Sequence, residues 1–363
     1  MVQAFMNRLA PMQRHARLSG VWFADDHSYV PYPLQNHLRF LPPELAQRAL
    51  AEMTKAQPSR ITTMDDWLTA YFGSTLCERF FRPFHNLYTA GLYTQISPQD
   101  SFKSPIDLAQ VIAGATGNAA SVGYNTTYLY PTDGLDTLMN RLADGCRIQY
   151  RKRVTGIDVK RREVHFADGS GAGYSDLICT LPLNQTLELA GLTLERPAPY
   201  TSVFVLNIGA VKGRHCPKDH WLYNPVTRSG FHRVGFYSNV DASFLPESAR
   251  AQSDRVSIYV ERAFKGGQKP STDEMAEYPK RVVKELQDWG FIEDAEVVDP
   301  TWIDVAYTWA WPGSDWRGQA LRRLEENHIY MVGRYARWTF QGIAESIRDG
   351  FIAGSCFRVA ENG

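Results

Sequence analysis

A mixed α/β fold is what this sequence predicts, and three observations predict it. Short strand-like runs alternate with turn residues from Tyr128 to Pro182. Longer runs, Ser202 to Ala210, Trp221 to Tyr223, Phe231 to Tyr237 and Val256 to Glu261, read as a second, antiparallel sheet. Pro43 to about Cys77 and Thr272 to Leu286 read as helices, the latter clearly amphipathic. At 363 residues the chain can bury a large core and form more than one domain or subdomain.

Each element has a local reason. Phe5, Leu9 and Met12 keep helical spacing at the start of the chain. Val21-Trp22-Phe23, an Asp25-Asp26 turn and Tyr29-Val30 predict a hairpin. Pro31 and Pro33 fix an extended backbone and expose the side chain between them. Thr62-Thr63-Met64-Asp65-Asp66 is a helix start, Phe80 to Thr94 is strongly aromatic, and Ser104-Pro105-Ile106-Asp107 begins another helix. Gly134 to Leu138 opens a helix after a strand at Tyr128 to Pro131. Arg147 to Tyr150, Val154 to Val159 and Glu163 to Phe166 read as successive strands, with a tight turn at Ala167 to Gly171. Leu177 to Leu181 is a buried strand running into a loop at Pro182. At the end, Ile329 to Val332 is a strand, followed by a glycine turn, Arg334 and a helical pattern to about Gly354. That order brings helix N-terminal N–H groups close to a ligand.

Bulk composition excludes several function classes. Thirty-nine basic and 39 acidic residues give no net charge, so no global field favours nucleic acid. The basic stretch Arg147 to Arg162 reads as a solvated face. Aromatics make up 12% of the chain, enough for a large core plus an aromatic-lined cleft. Five scattered cysteines with no C-x-x-C argue against a disulfide framework or a metal site, and favour a reducing cytoplasm. No apolar run is long enough to span a membrane.

Six phrases in order carry a family resemblance: Tyr29 to Asn36, Phe80 to Asn86, Tyr128 to Leu135, His220 to Pro225, Phe231 to Asn239 and Gly333 to Ile347. Together they resemble UDP-galactopyranose mutase and the FAD-dependent amine oxidase superfamily, over almost the whole chain. The resemblance implies an FAD/NAD(P)-binding flavoprotein-like fold with an antiparallel substrate sheet. Residues 1–42, 121–185 and 325–363 would form the cofactor domain, 43–120 a helical insertion, and 186–324 the substrate domain. It implies a nucleotide-sugar substrate in surface-glycan biosynthesis and FAD as cofactor. Arg233, Arg334 and Tyr223 match the diphosphate site, Tyr32 and Gln35 the uridine side, Asn125 a polar contact, and Lys103 falls near an arginine position. Val154, Thr180, Leu181, Pro182, Gly333, Gln341, Gly342 and Ile343 match the flavin contacts. No residue is assigned to catalysis, and His85 and His232 read as satisfied polar residues.

The sequence also departs from the pattern. It contains no G-x-G-x-x-G turn, so the expected form is N-terminally incomplete: a truncated reading or a natural short form. On that expectation FAD binds only if the segment is supplied, for instance by a Rossmann-bearing partner chain; a homo-oligomer is the other partner considered. Phe340 stands where the mutases tend to have a tyrosine, Thr89 near an expected tryptophan, and Trp311-Pro312 in place of a Tyr-Pro pair. Those losses favour the alternative of an amine oxidase or desaturase type of oxidoreductase. A flavin-free sugar-nucleotide binder is the third reading.

Overall fold

The computed structural model describes residues 1–55, 60–99, 106–117 and 126–357. The chain falls into two compact units. One contains Met1–Met12, Pro131–Pro199 and Tyr307–Gly363; the other contains Gln13–Tyr130 and Tyr200–Ala306.

The second unit is built on a seven-stranded sheet. Its strands are β1 (Ser19–Phe23), β2 (Ser28–Pro31), β3 (Tyr200–Lys212), β4 (Trp221–Tyr223), β5 (Arg233–Phe236), β6 (Arg255–Lys265) and β7 (Ile292–Thr308). They lie in the order β7-β3-β6-β5-β4-β1-β2. Neighbours β3, β6, β5 and β4 are antiparallel, as the alternating sequence predicts. The hairpin β1–β2 is also present, but it extends this sheet through a parallel pairing of β1 with β4. Residues 13–42, expected with the cofactor layer, thus belong to the substrate-sheet unit, because β4 offers β1 an open edge.

The longer helices that accompany the sheet are α1 (Pro43–Lys55), α2 (Met64–Leu76), α3 (Arg82–Tyr88), α4 (Leu108–Thr116) and α5 (Thr272–Asp288). Helix α2 starts where predicted. Thr63 accepts from the Asp66 N–H and the Asp66 carboxylate accepts from the Thr63 N–H, a reciprocal capping box. Asp107 caps α4 by accepting from the N–H groups of Ala109 and Gln110. One face of the sheet packs on α5: Phe204, Leu206, Leu222, Val234, Ile258 and Val260 meet Tyr278, Val282 and Leu286. Alternation along β6 buries Val256, Ile258 and Val260 there and turns Tyr259 and Glu261 to the other face.

The first unit contains a three-stranded antiparallel sheet, Val154–Asp158, Glu163–Phe166 and Gly171–Gly173. A separate pair, Leu177–Cys179 and Ile329–Met331, is parallel. The predicted strand at Arg147 to Tyr150 is not formed; Ile148 and Tyr150 are solvent-exposed there and have no sheet partner among the described residues. All five cysteines are free thiols. No helix among the described residues is long and apolar enough to cross a membrane.

Candidate functional site

Tyr223 and Arg233 stand directly opposite each other on β4 and β5. Side chains alternate across a strand, so both leave the sheet on the face away from α5. The Tyr32 ring lies 4.7 Å from that of Tyr223, and the Arg17 guanidinium sits 5.6 Å over Tyr32. Arg17 is buried, and its backbone N–H is anchored to the Thr126 carbonyl at 2.9 Å.

Helix α3 brings further rings to this face. Phe84 and Tyr88, one helical turn apart, stack at 5.5 Å. Phe84 meets Tyr223 edge-on at 5.3 Å, and Tyr88 lies 5.3 Å from His232. Thr89, by contrast, is fully buried, its hydroxyl bonded to the His85 carbonyl, and so serves packing. The aromatic side chain nearest to that position on this face is Tyr88, one residue earlier.

Arg233 is held by Glu261, its cross-strand neighbour, through a charge-assisted hydrogen bond. Burial alone would raise the Glu261 carboxyl; the Arg233 charge and His232 outweigh it and hold it down at about 2. His232 Nε2 lies 3.4 Å from the same carboxylate. Burial nevertheless lowers the His232 pKa, which keeps the ring neutral. The Tyr259 ring covers the Arg233 guanidinium at 5.5 Å and lies over Gly235. A β-carbon at Gly235 would come within 1.9 Å of that ring, so only glycine lets Tyr259 lie there. The chemistry of this face is therefore two guanidinium groups, several phenols, one fixed carboxylate and stacked rings.

Gln35 lies in a short helical turn, Leu34–Asn36, and is buried. Helix α4 packs on that turn: a β-carbon at Gly114 would meet the Asn36 carbonyl at 1.8 Å. Lys103 and Asn125 lie outside the described residues.

The first unit holds every predicted flavin contact, together with Arg334. Cys179 and Met331 end the two parallel strands, and Val332 continues the pairing through its N–H to the Cys179 carbonyl. Both chains then open at the same end, one into Thr180-Leu181-Pro182 and the other into the Gly333 to Gly342 loop. The Leu183 N–H donates to the Tyr335 carbonyl at 3.1 Å and ties the loops together. Carboxyl ends of parallel strands are where ligands bind in α/β sheets. Gly333 has φ of +91°, and the space where its side chain would stand is open. Arg334 lies among the rings of Phe340, Tyr335 and Tyr307 at 4.8, 5.5 and 5.7 Å. Gln341 donates through Nε2 to Asp349 at 2.8 Å, while its Oε1 is buried with no hydrogen-bond partner among the described residues. The closing helix, Ile343–Cys356, begins ten residues after Gly333, later than the sequence suggested. The Gly342 N–H at its start is taken by Glu345 at 2.9 Å. Val154 opens the first strand of the antiparallel sheet.

These residues fit one end of a flavin cradle: an open glycine turn, a cation and an orphaned buried acceptor at the strand ends. The sequence marked Arg233 and Tyr223 for a diphosphate and Tyr32 for a uridine side; the structure brings these three to one face, together with Arg17, Tyr88, His232 and Glu261, which the sequence did not mark for binding. Only the register of β5 and β6 brings Glu261 to Arg233, while His232 is the neighbour of Arg233 in the chain; the aromatic run Phe80 to Tyr88 was the available signal for Tyr88.

Comparison with known proteins adds a family. A model of flavin-containing amine oxidoreductases matches residues 3–351. Among solved structures, a reduced UDP-galactopyranose mutase is similar with a TM-score of 0.79 at 20% identity, covering 93% of this chain and 75% of that one. A candidate protoporphyrinogen oxidase from Exiguobacterium matches with a TM-score of 0.70 at 12% identity, over 98% of this chain and 84% of that one. A cyclohexylamine oxidase from Brevibacterium oxydans matches with a TM-score of 0.55 at 11% identity, over 98% and 83%. At these identities the structural matches establish the fold.

Proposed function

The chain belongs to the flavin-containing amine oxidoreductases, and from that premise we infer that it is a UDP-galactopyranose-mutase-like flavoenzyme acting on a nucleotide sugar in surface-glycan biosynthesis. One observation carries the reading. Tyr223 and Arg233 are cross-strand partners, with Tyr32 against Tyr223 and Arg17 over Tyr32. Guanidinium forks and phenol hydroxyls are suited to the oxygens of a diphosphate, and the rings of Phe84 and Tyr88 offer a surface on which a base can stack.

The protein's own residues bind and orient. Arg233 grips a phosphate from a direction fixed by Glu261. In the other unit the same reading gives Arg334 an anion-binding role. Thr180, Leu181, Pro182, Gly333, Gln341, Gly342 and Ile343, with Val154, would hold FAD, partly through backbone groups. Reduced FAD, when bound, supplies a nucleophilic ring nitrogen for attack on the sugar.

The test is calorimetric titration of the purified chain with UDP-galactose. Saturable binding is expected, weakened about tenfold or more in Arg233→Lys, because lysine cannot grip bidentately. A well-folded chain with no affinity for any UDP-sugar sinks the proposal. Conversion between pyranose and furanose forms with reduced FAD tests the activity itself. UDP-galactose binding by a protein that takes up no flavin would leave a sugar-nucleotide binder instead.

A second reading, an oxidase or desaturase, draws on Phe340 against Arg334, where a hydroxyl was expected. Oxygen consumption with an amine or polyene, in a protein without UDP-sugar affinity, would select it.

A further inference from the structure

The face of the sheet that carries Leu222 holds a cavity of its own. Leu222 and Tyr223 are consecutive on β4 and so point to opposite faces. Leu222 stands opposite Gly20, two residues from Trp22, and Trp22 pairs across the hairpin with Tyr29. Trp22 and Tyr29 are therefore on the α5 side. There Trp22, Tyr29, Asp219, Leu222, Trp289 and Phe291 line a cavity of about 650 Å³, a volume typical of small-molecule sites. None of them belongs to the face that carries Arg233.

The lining has the chemistry of a cation site. The Trp22 ring lies 6.3 Å from that of Trp289 and 5.4 Å from that of Phe291. The Asp219 carboxylate accepts a hydrogen bond from the Tyr29 hydroxyl at 2.8 Å and makes no ion pair among the described residues. Burial pushes its carboxyl above the usual range, so its ionised form lacks a compensating charge. The other acid of the lining, Asp288, is already paired with Arg228 and Lys284 at 2.5 and 2.8 Å. Cys216 is raised by burial to about 11 and stays a neutral thiol. His27, Arg214 and His215 also line the cavity but are solvent-exposed, where water and salt screen them.

We propose that this cavity binds an organic ammonium ion carried on an apolar body, with the charged head between the Asp219 carboxylate and the tryptophan rings. Tryptophan faces attract cations, and quaternary ammonium groups are recognised in this way. The carboxylate supplies the counter-charge that makes the preference one of sign as well as shape. The site is separate from the one proposed for the nucleotide sugar, and neither depends on the other.

Benzyltrimethylammonium is the probe, because its nitrogen has no N–H to oxidise and it cannot serve as an amine substrate. It is titrated calorimetrically into the wild-type chain beside 3-phenylpropionate, which has a similar ring and the opposite charge. The cation should bind saturably and the anion at least tenfold more weakly. Asp219→Asn should weaken the cation tenfold or more, with an unchanged circular dichroism spectrum. Absence of cation binding, equal binding of the anion, or full affinity in folded Asp219→Asn overturns the proposal. So does loss of binding in Glu261→Gln with Asp219→Asn unaffected, which would put the cation on the opposite face. Should Asp219→Asn fail to fold, the wild-type comparison of the two charges decides alone.

Discussion

Glu261 sets the electrostatics of its surroundings, because two side chains depend on its charge. Its carboxyl, held near 2 against an ordinary 4.5, contributes stability that is complete above about pH 4.5 and is lost as the pH falls toward 2. His232 adds to the same trend. Its folded pKa lies below the ordinary 6.5, so below that pH the unfolded chain takes up a proton that the folded chain refuses. Urea midpoints should therefore drop steadily as the buffer is taken from pH 7 to pH 4, and His232→Gln should flatten the upper part of that slope. Glu261→Gln should cost about 3–5 kcal/mol at neutral pH by leaving Arg233 half-buried without its counter-ion. Gly235 gives a separate test at this scale: Gly235→Ala drives a methyl into the Tyr259 ring and should destabilise by about 1–3 kcal/mol, measured by thermal unfolding.

Elements were legible where the cause was local. The capping residues of α2 and α4, the hairpin β1–β2, the turn at Asp168-Gly169 and the spacing of α5 all stand in the sequence, because each is a contact between near neighbours. Thr63→Ala removes one half of the α2 capping box and should lower stability by about 1 kcal/mol, read from the denaturation midpoint. Where the cause was remote, the reading faltered. Arg147 to Tyr150 has strand-forming residues but no neighbouring strand among the described residues. The turn that holds Gln35 is packed against α4 through Asn36, a contact that no local signal announces. The parallel pairing of β1 with β4 has no signature in either segment alone.

For the molecule as a whole, family membership and the mixed architecture could be read from six ordered phrases, and the candidate site only in part. Tyr223 and Arg233 stood out as residue types suited to a diphosphate, and Tyr32 as one for the uridine side. Arg17 and Glu261 did not, since their relevance depends on packing and strand register. A ligand that binds only the folded chain stabilises it by mass action. UDP at one hundred times its dissociation constant should thus add about 2.7 kcal/mol to unfolding, and in a tenfold weaker Arg233→Lys the same concentration should add only about 1.4 kcal/mol.

The parallel strand pairing in the large sheet has a consequence for how the chain is made. β1 and β4 are neighbours in space but about 200 residues apart along the chain, a stretch that takes the ribosome roughly 10–40 s to synthesise. Until then the hairpin waits with an unpaired edge, beside aromatic residues whose partners have not yet left the exit tunnel. The unit holding the parallel strands waits longer still, since its last segment begins at Tyr307. Nascent chains stalled before residue 220 should consequently be held by chaperones and cut readily by protease, and chains released at full length should not.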